Sequence, residues 1–223
     1  MILYVDPFKK KIRNMRLKAV IFDIDGVLLN SIKSNAVFFE RVFKHLGIRY
    51  SQKEYIDRNF WTMWNIIKYF TKEKSNSKIH KIWDFARKFP YPHNKVTIPK
   101  DAKIALKSLS KKYKLGVVTA RQKLGVGPVL KRYGYDKFIS TKVAFEDYKN
   151  PKPHPEPLLI ALKKMKVKAN EAIYVGDMES DVLCATAAGV KSVLYRNRYS
   201  NAKHTPDYEV RSFKQLLKII NAE

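Results

Sequence analysis

The stretch Ala19-Val20-Ile21-Phe22-Asp23-Ile24-Asp25-Gly26-Val27-Leu28-Leu29-Asn30-Ser31 decides how the chain is read. Its first four residues, Ala19 to Phe22, are apolar and β-branched in the middle. They are too few for a helix and read as a buried parallel strand. Two carboxylates, Asp23 and Asp25, follow, and then Gly26. The strand therefore ends in paired acids at the carboxyl edge, where open α/β sheets place their sites. Asp and Gly are also ordinary turn residues. Alone, the stretch is compatible with a solvated turn; the rest of the sequence weighs against that.

Downstream, Phe38, Phe39, Val42, Phe43 and Leu46 share one helical face ahead of Gly47. A second amphipathic stretch covers 55–70, with Phe60, Met63, Trp64 and Ile67 on its stripe, and a third covers 79–89. Pro90 and Pro92 then break the helical run. Beyond them strands and helices alternate. Strands are expected at 115–118, 138–140, 172–175 and 192–195, and helices at 102–109, 158–165, 181–188 and 212–220. This alternation predicts an α/β fold on a doubly wound, Rossmann-like parallel sheet.

Composition bounds the function classes. With 223 residues and 45% hydrophobic content, the chain has material for one large domain or one domain plus an insert. Lys and Arg number 45 against 20 Asp and Glu, a formal net charge of +25. Such a balance favours phosphates, nucleic acid or anionic membrane. The lysines are spread along most helices, however, and no nucleic-acid motif of the usual kinds appears. A solvated basic surface is the preferred reading, as in proteins from hot environments. Cys184 is the one cysteine, so neither an intramolecular disulfide nor a cysteine-based zinc site is expected, and a reducing cytoplasm fits. No apolar run approaches the roughly 18 residues a membrane helix needs. The start, Met1 to Val5, lacks a signal peptide's basic region and long apolar core. Residues 1–16 read either as an added strand and turn or as an upstream extension, with translation beginning at Met15.

Four short motifs recur in order. Asp23-Ile24-Asp25-Gly26-Val27 resembles the first motif of the haloacid dehalogenase-like hydrolase superfamily, Asp-x-Asp-Gly-(Thr/Val) after an apolar strand. Gly116-Val117-Val118-Thr119 resembles the second, Asn150-Pro151-Lys152-Pro153-His154-Pro155 the third, and Gly176-Asp177-Met178-Glu179-Ser180-Asp181 the fourth. The resemblance covers about residues 17 to 210, in the phosphoglycolate phosphatase and beta-phosphoglucomutase-like branch. It implies an α-helical cap inserted in the core. The three successive helical stretches place that cap at 32–97, with residues 1–31 and 98–223 as the catalytic core.

The resemblance also implies roles. Asp23 would be the nucleophile on phosphorus and Asp25 the general acid and base. An Asp at position 25 points to phosphate esters, since the dehalogenase and phosphonatase branches lack it. Thr119 and Lys152 would hold the transferring phosphoryl group, and the prolines around Lys152 stiffen its loop. Mg²⁺ would be held by Asp23, the backbone carbonyl of Asp25 and Asp177, with Asp181 orienting Lys152 or a metal-bound water. Gly26, Ala120 and Arg121 are expected to contact substrate; Ala120 stands where the family often has Asn or Ser, and Arg121 suits phosphate. Cys184 is read as core, not as a nucleophile. In the cap, Arg49, Arg58, Trp61 and Trp64 are candidates to reach a substrate, although such aromatics are more often core.

The expected function is thus a Mg²⁺-dependent phosphatase acting on a small phosphorylated metabolite through an aspartyl-phosphate. Two alternatives stay open: a phosphomutase of the same fold on a phosphosugar, and a non-enzymatic basic nucleic-acid-binding protein. Oligomeric state is not readable from the sequence.

Overall fold

Ala19–Phe22 forms strand β1, with all four side chains buried. It pairs in parallel with β2 (Lys114–Val118) on one side and β4 (Ala172–Gly176) on the other. The computed structural model describes residues 16–58 and 62–220. Among these, β3 (Thr141–Val143), β5 (Lys191–Tyr195) and β6 (Tyr208–Val210) complete a six-stranded parallel sheet in the order β3-β2-β1-β4-β5-β6. Strand order reverses at β1, so the crevice at the carboxyl ends of β1, β2 and β4 is the topological switch point.

Helices cover both faces. On one, Ala19, Ile21, Ala172 and Tyr174 pack against α7 (Glu156–Met165) and α8 (Glu179–Ala187) through Leu158, Ala161, Leu162, Met165, Cys184 and Ala185. The alternate strand residues face the other way, as the period of two requires. There the Phe22 ring meets Phe213 of α9 (Phe213–Ile220) at 6.4 Å between centroids, and α9 packs with α5 (Ala102–Leu109). This is the doubly wound α/β fold.

The chain divides into two compact units. The sheet unit runs to Leu29 and resumes at Ile98; the other unit is Asn30–Thr97. The second unit holds α1 (Ile32–His45), α2 (Gln52–Ile56), α3 (Met63–Thr71) and α4 (Asn76–Ala86) around Phe39, Phe43, Tyr55, Ile66, Ile67 and Ile79. Phe43 packs on Phe39, Tyr50 and Phe70 with centroids 5.4–5.8 Å apart. The unit's ends are tied together: the Asn30 amide donates to the Thr97 carbonyl at 2.8 Å, and Asn30 Nδ2 donates to Thr97 Oγ1 at 3.1 Å.

Several elements differ from the sequence-based expectation. The single amphipathic stretch at 55–70 is two helices, because Thr62 caps the start of α3 by accepting from the Asn65 amide. Phe60 and Trp61 lie outside the described residues, as do residues 1–15 with the expected added strand and Met15. The strand expected at 138–140 is displaced to β3. The Phe138 and Ile139 amides donate back to the Tyr135 carbonyl, completing a turn before the sheet is joined. Helix α6 (Lys123–Tyr133) was not anticipated, since Gly125, Gly127 and Pro128 lower its propensity. It forms because Val126, Val129 and Leu130 are buried, and Gly134 at φ +70° ends it. The short β6 was also missed; Asp207 pins its approach by accepting from the Ser192 amide and hydroxyl.

No described helix is long and apolar enough to cross a membrane. Cys184 is fully buried, and burial pushes its thiol up to about 12. Since the thiolate is the reactive form, the native protein should resist an aromatic disulfide reagent at pH 8 and release one thiol equivalent only in denaturant. Stoichiometric labelling of the native protein would contradict this packing.

Candidate active site

Four segments converge at the carboxyl edge of the sheet. β1 ends directly in Asp23, whose amide donates to the Val175 carbonyl at 2.9 Å, so the two central strands remain in register to their ends. Asp23 Oδ1 accepts from the Ile24 amide at 2.7 Å and Oδ2 from Lys152 Nζ at 3.0 Å. β4 delivers Asp177, and the first turn of α8 delivers Asp181. Lys152 comes from the loop before α7. That loop is clasped by Glu156, which accepts from the amides of Lys149 and Asn150 at 3.0 Å each.

Lys152 Nζ has three partners: Asp23, Asp181 Oδ1 at 2.6 Å and the Tyr174 hydroxyl at 3.2 Å. Asp181 in turn accepts from Tyr174 OH at 3.0 Å and, through Oδ2, from the amides of Asp177 and Met178 at 3.1 Å each. Thr119 ends β2, buried, and its Oγ1 accepts from the Arg121 amide at 3.2 Å. Ala120 is exposed beside it. Arg121, expected to contact substrate, forks onto Asp25: Nε reaches Oδ2 at 2.7 Å and Nη2 reaches Oδ1 at 2.6 Å. Bidentate pairing of this kind is strong and directional.

Two glycines permit the close packing. Gly26 has φ +83°, and a Cβ there would stand 2.0 Å from Asp177 Oδ2. A Cβ on Gly176 would stand 2.2 Å from the Asp181 Cβ. Both positions exclude a side chain because a carboxylate occupies its space.

The electrostatics follow from crowding acids out of water. Burial, with Asp181 and Asp25 nearby, pushes Asp23 up to about 7 against the opposing pull of Lys152. Burial, with Asp181 and Asp23 nearby, holds Asp177 well above the usual carboxylate range. Burial alone would lower Lys152, yet Asp181 and Asp23 outweigh it and hold the ammonium well above its ordinary value.

Asp23, Asp177 and Asp181 each offer an oxygen within 4.8 Å of the others. The three carboxylates face one ammonium, so ionising all three leaves an excess of negative charge. Asp177 Oδ1 is buried and has no hydrogen-bond partner. A buried oxygen of this kind commonly marks a missing ion or water, and a hard divalent cation fits an all-oxygen donor set. Asp181 is less suited to ligation, because both its oxygens already accept two hydrogen bonds.

Sequence reasoning missed two participants. Tyr174 lies within the strand expected at 172–175, and its hydroxyl joins the Lys152–Asp181 pair. Asn197 follows β5, and its Nδ2 donates to Asp177 Oδ2 at 2.8 Å and to the Gly26 carbonyl at 3.0 Å. Its signal was positional: a polar amide two residues past the strand next to β4. In the helical unit, Arg49 is exposed, Arg58 lies over the Tyr69 ring at 4.2 Å, and Trp64 packs edge-on to His80 and Trp83. Trp61 is outside the described residues.

Comparison with known proteins places this arrangement. A family model described as haloacid dehalogenase-like hydrolase matches residues 20–195. The chain belongs to this family. It is a hydrolase by that membership, and all four motifs lie within the matched span. The chain is 33% identical over 216 residues to a putative pyrophosphatase PpaX of Caldanaerobacter subterraneus subsp. tengcongensis, covering 92% of this chain and 96% of that one. Among solved structures it resembles a haloacid dehalogenase-superfamily hydrolase of subfamily IA from Geobacter sulfurreducens, with TM-score 0.71, 27% identity and coverage of 94% and 99%. A putative phosphoglycolate phosphatase from Lactobacillus plantarum shares the fold at TM-score 0.81, with 20% identity and coverage of 92% and 99%.

The haloacid dehalogenase-like core depends on the buried pairing of Lys152 with Asp23 and Asp181. Removing one partner of a buried pair strands the other charges. Lys152→Ala, measured without added metal by urea denaturation, should lose about 3–5 kcal/mol of stability. A loss under 1 kcal/mol, typical of an exposed pair, would show that the cluster is not electrostatically closed.

Proposed function

We propose that this protein is a Mg²⁺-dependent phosphatase that works through a phosphorylated Asp23, with residues 30–97 acting as its cap. The carrying observation is the closed cluster at the switch point, in which Asp23 lies beside a buried ammonium and an unpartnered Asp177 oxygen. A binding module has no use for a desolvated carboxylate of this kind. Asp23, Asp177 and the Asp25 backbone carbonyl would hold the cation. When bound, it would supply charge neutralisation between the attacking carboxylate and the phosphoryl oxygens.

The remaining steps belong to the chain. An Asp23 oxygen attacks phosphorus, an aspartyl P–O bond forms, and the bond to the leaving oxygen breaks with its electron pair going to that oxygen. Lys152 and Thr119 hold the phosphoryl oxygens. Asp25 donates a proton to a leaving alkoxide, then takes one from the water that attacks the phosphoaspartate, which frees phosphate and restores Asp23. Asp25 supplies that proton only after Arg121 releases it, because the guanidinium donates to both its oxygens.

That pairing bears on the substrate. A phosphate leaving group is a far weaker base than an alkoxide and departs without full protonation. A phosphoanhydride therefore asks less of the Arg121-bound Asp25 than an alkyl ester does. Together with the relatives named pyrophosphatase, this makes inorganic pyrophosphate the first substrate to assay, beside small phosphate monoesters.

Hydrolysis should stop on chelation and return with Mg²⁺. Asp23→Asn should form no phospho-enzyme. Asp25→Asn should slow a natural alkyl ester by about 10²–10⁴-fold, while an acyl phosphate still phosphorylates Asp23 and the intermediate persists through rapid quench and mass spectrometry. Label on another residue, or full activity after rigorous chelation, would refute the assignment.

A further inference from the structure

We infer that Asn197 is a positioning residue for the cation site, fixing which oxygen of Asp177 faces the ion. This rests on reading Asp177 as a ligand. The assignment of the amide follows from its partners. Asn197 Oδ1 accepts from the Tyr199 backbone amide at 2.7 Å, and a backbone N–H can only donate. Nδ2 must therefore face the two oxygens on its other side. Both of its hydrogens are used, one on Asp177 Oδ2 and one on the Gly26 carbonyl.

The amide is itself held. The Asn197 backbone N–H donates to Ser200 Oγ at 3.0 Å, and that hydroxyl lies 3.4 Å from the Tyr195 carbonyl at the end of β5. Asn197 thus ties three pieces of chain together: the loop after β1 at Gly26, the end of β4 at Asp177, and its own loop after β5. Gly26 has no side chain to interpose, since a Cβ there would collide with Asp177. With Oδ2 held by Asn197, the other carboxylate oxygen, Oδ1, is buried and unpartnered. Oδ1 is thus the one oxygen of this carboxylate with no hydrogen bond of its own, and the Asn197 contact fixes it in place before any ion arrives. Partners that orient a ligating carboxylate in this way typically contribute about 10–100-fold to metal affinity.

The test is Mn²⁺ binding by calorimetry, with no substrate present, on the full-length protein and on Asn197→Leu, which matches the amide in bulk but donates no hydrogen bond. Asn197→Leu should weaken Mn²⁺ binding about 10–100-fold, on top of the modest loss of metal-free stability that its three unmade hydrogen bonds bring. In turnover assays its half-saturating Mg²⁺ concentration should rise while kcat at saturating Mg²⁺ stays near the parent value. A purely structural role would lower metal-free stability and kcat without that split. A dissociation constant within twofold of the parent would overturn the inference. Asp177→Asn separates the two readings. If it leaves Mn²⁺ binding intact, the cation site itself is misplaced; if it abolishes binding and Asn197→Leu does not, only the role of Asn197 fails. Should Asn197→Leu not fold, the Asn197 side-chain amide resonances of the unaltered protein decide. They should shift with Mg²⁺ at the midpoint of metal binding, and resonances that stay fixed would overturn the inference.

Discussion

One ammonium holds this site together. Lys152 Nζ is shared by Asp23, Asp181 and Tyr174, which come from the end of β1, the first turn of α8 and the middle of β4. Carboxylates crowded out of water repel one another, and without a cation among them the loops that carry them would separate. The neutralisation is incomplete. Three acids share one lysine, and Asp23 and Asp177 are pushed towards their protonated forms. The resting cluster is therefore frustrated in a definite sense: its acids outnumber the one lysine that neutralises them. A cation bound among these oxygens would relieve that excess and stabilise the folded state by mass action.

The supporting parts make that frustration tolerable. Asp181 is fully occupied by two amides, a hydroxyl and the lysine, so it acts as the anchor of Lys152. Tyr174 is a strand residue whose ring packs in the core and whose hydroxyl reaches the site, lying also 3.3 Å from the Val118 carbonyl. A strand end, a helix first turn and a proline-framed loop are rigid carriers. The Arg121 fork on Asp25 is more exposed than the Lys152 pairs.

Much of this was legible in the sequence because local signals and global fold agree. A four-residue apolar run ending in Asp23 reads as a strand that delivers an acid, and in the structure the buried strand ends in the Asp23–Lys152 pair. The same holds for Ala172 to Asp177. The illegible parts have physical reasons. Helix α6 exists against its own propensity, held by burial of Val126, Val129 and Leu130, which a local pattern cannot foresee. Strand β6 is three residues long and owes its place to hydrogen bonds from Ser192 to Asp207, fifteen residues apart. Tyr174 and Asn197 were invisible as site residues because their roles depend on which strands neighbour β4, and strand order is a tertiary fact. Arg121 was marked as a phosphate contact by its chemistry, and its present partner is another anion, Asp25.

The pairing of Asn30 with Thr97 carries a consequence for the chain as a polymer. Sixty-eight residues leave and return through one hydrogen-bonded gate, from Asn30 to Thr97. To the sheet, that excursion is topologically a tight turn between Leu29 and Ile98. Closure entropy rises only logarithmically with length, at about 0.6 kcal/mol for each doubling. Lengthening or shortening the excursion behind the gate therefore leaves the register of β1 against β2 almost untouched. The buried acid–lysine cluster and the aromatic core of the helical unit are thus written on segments of the chain that can vary independently.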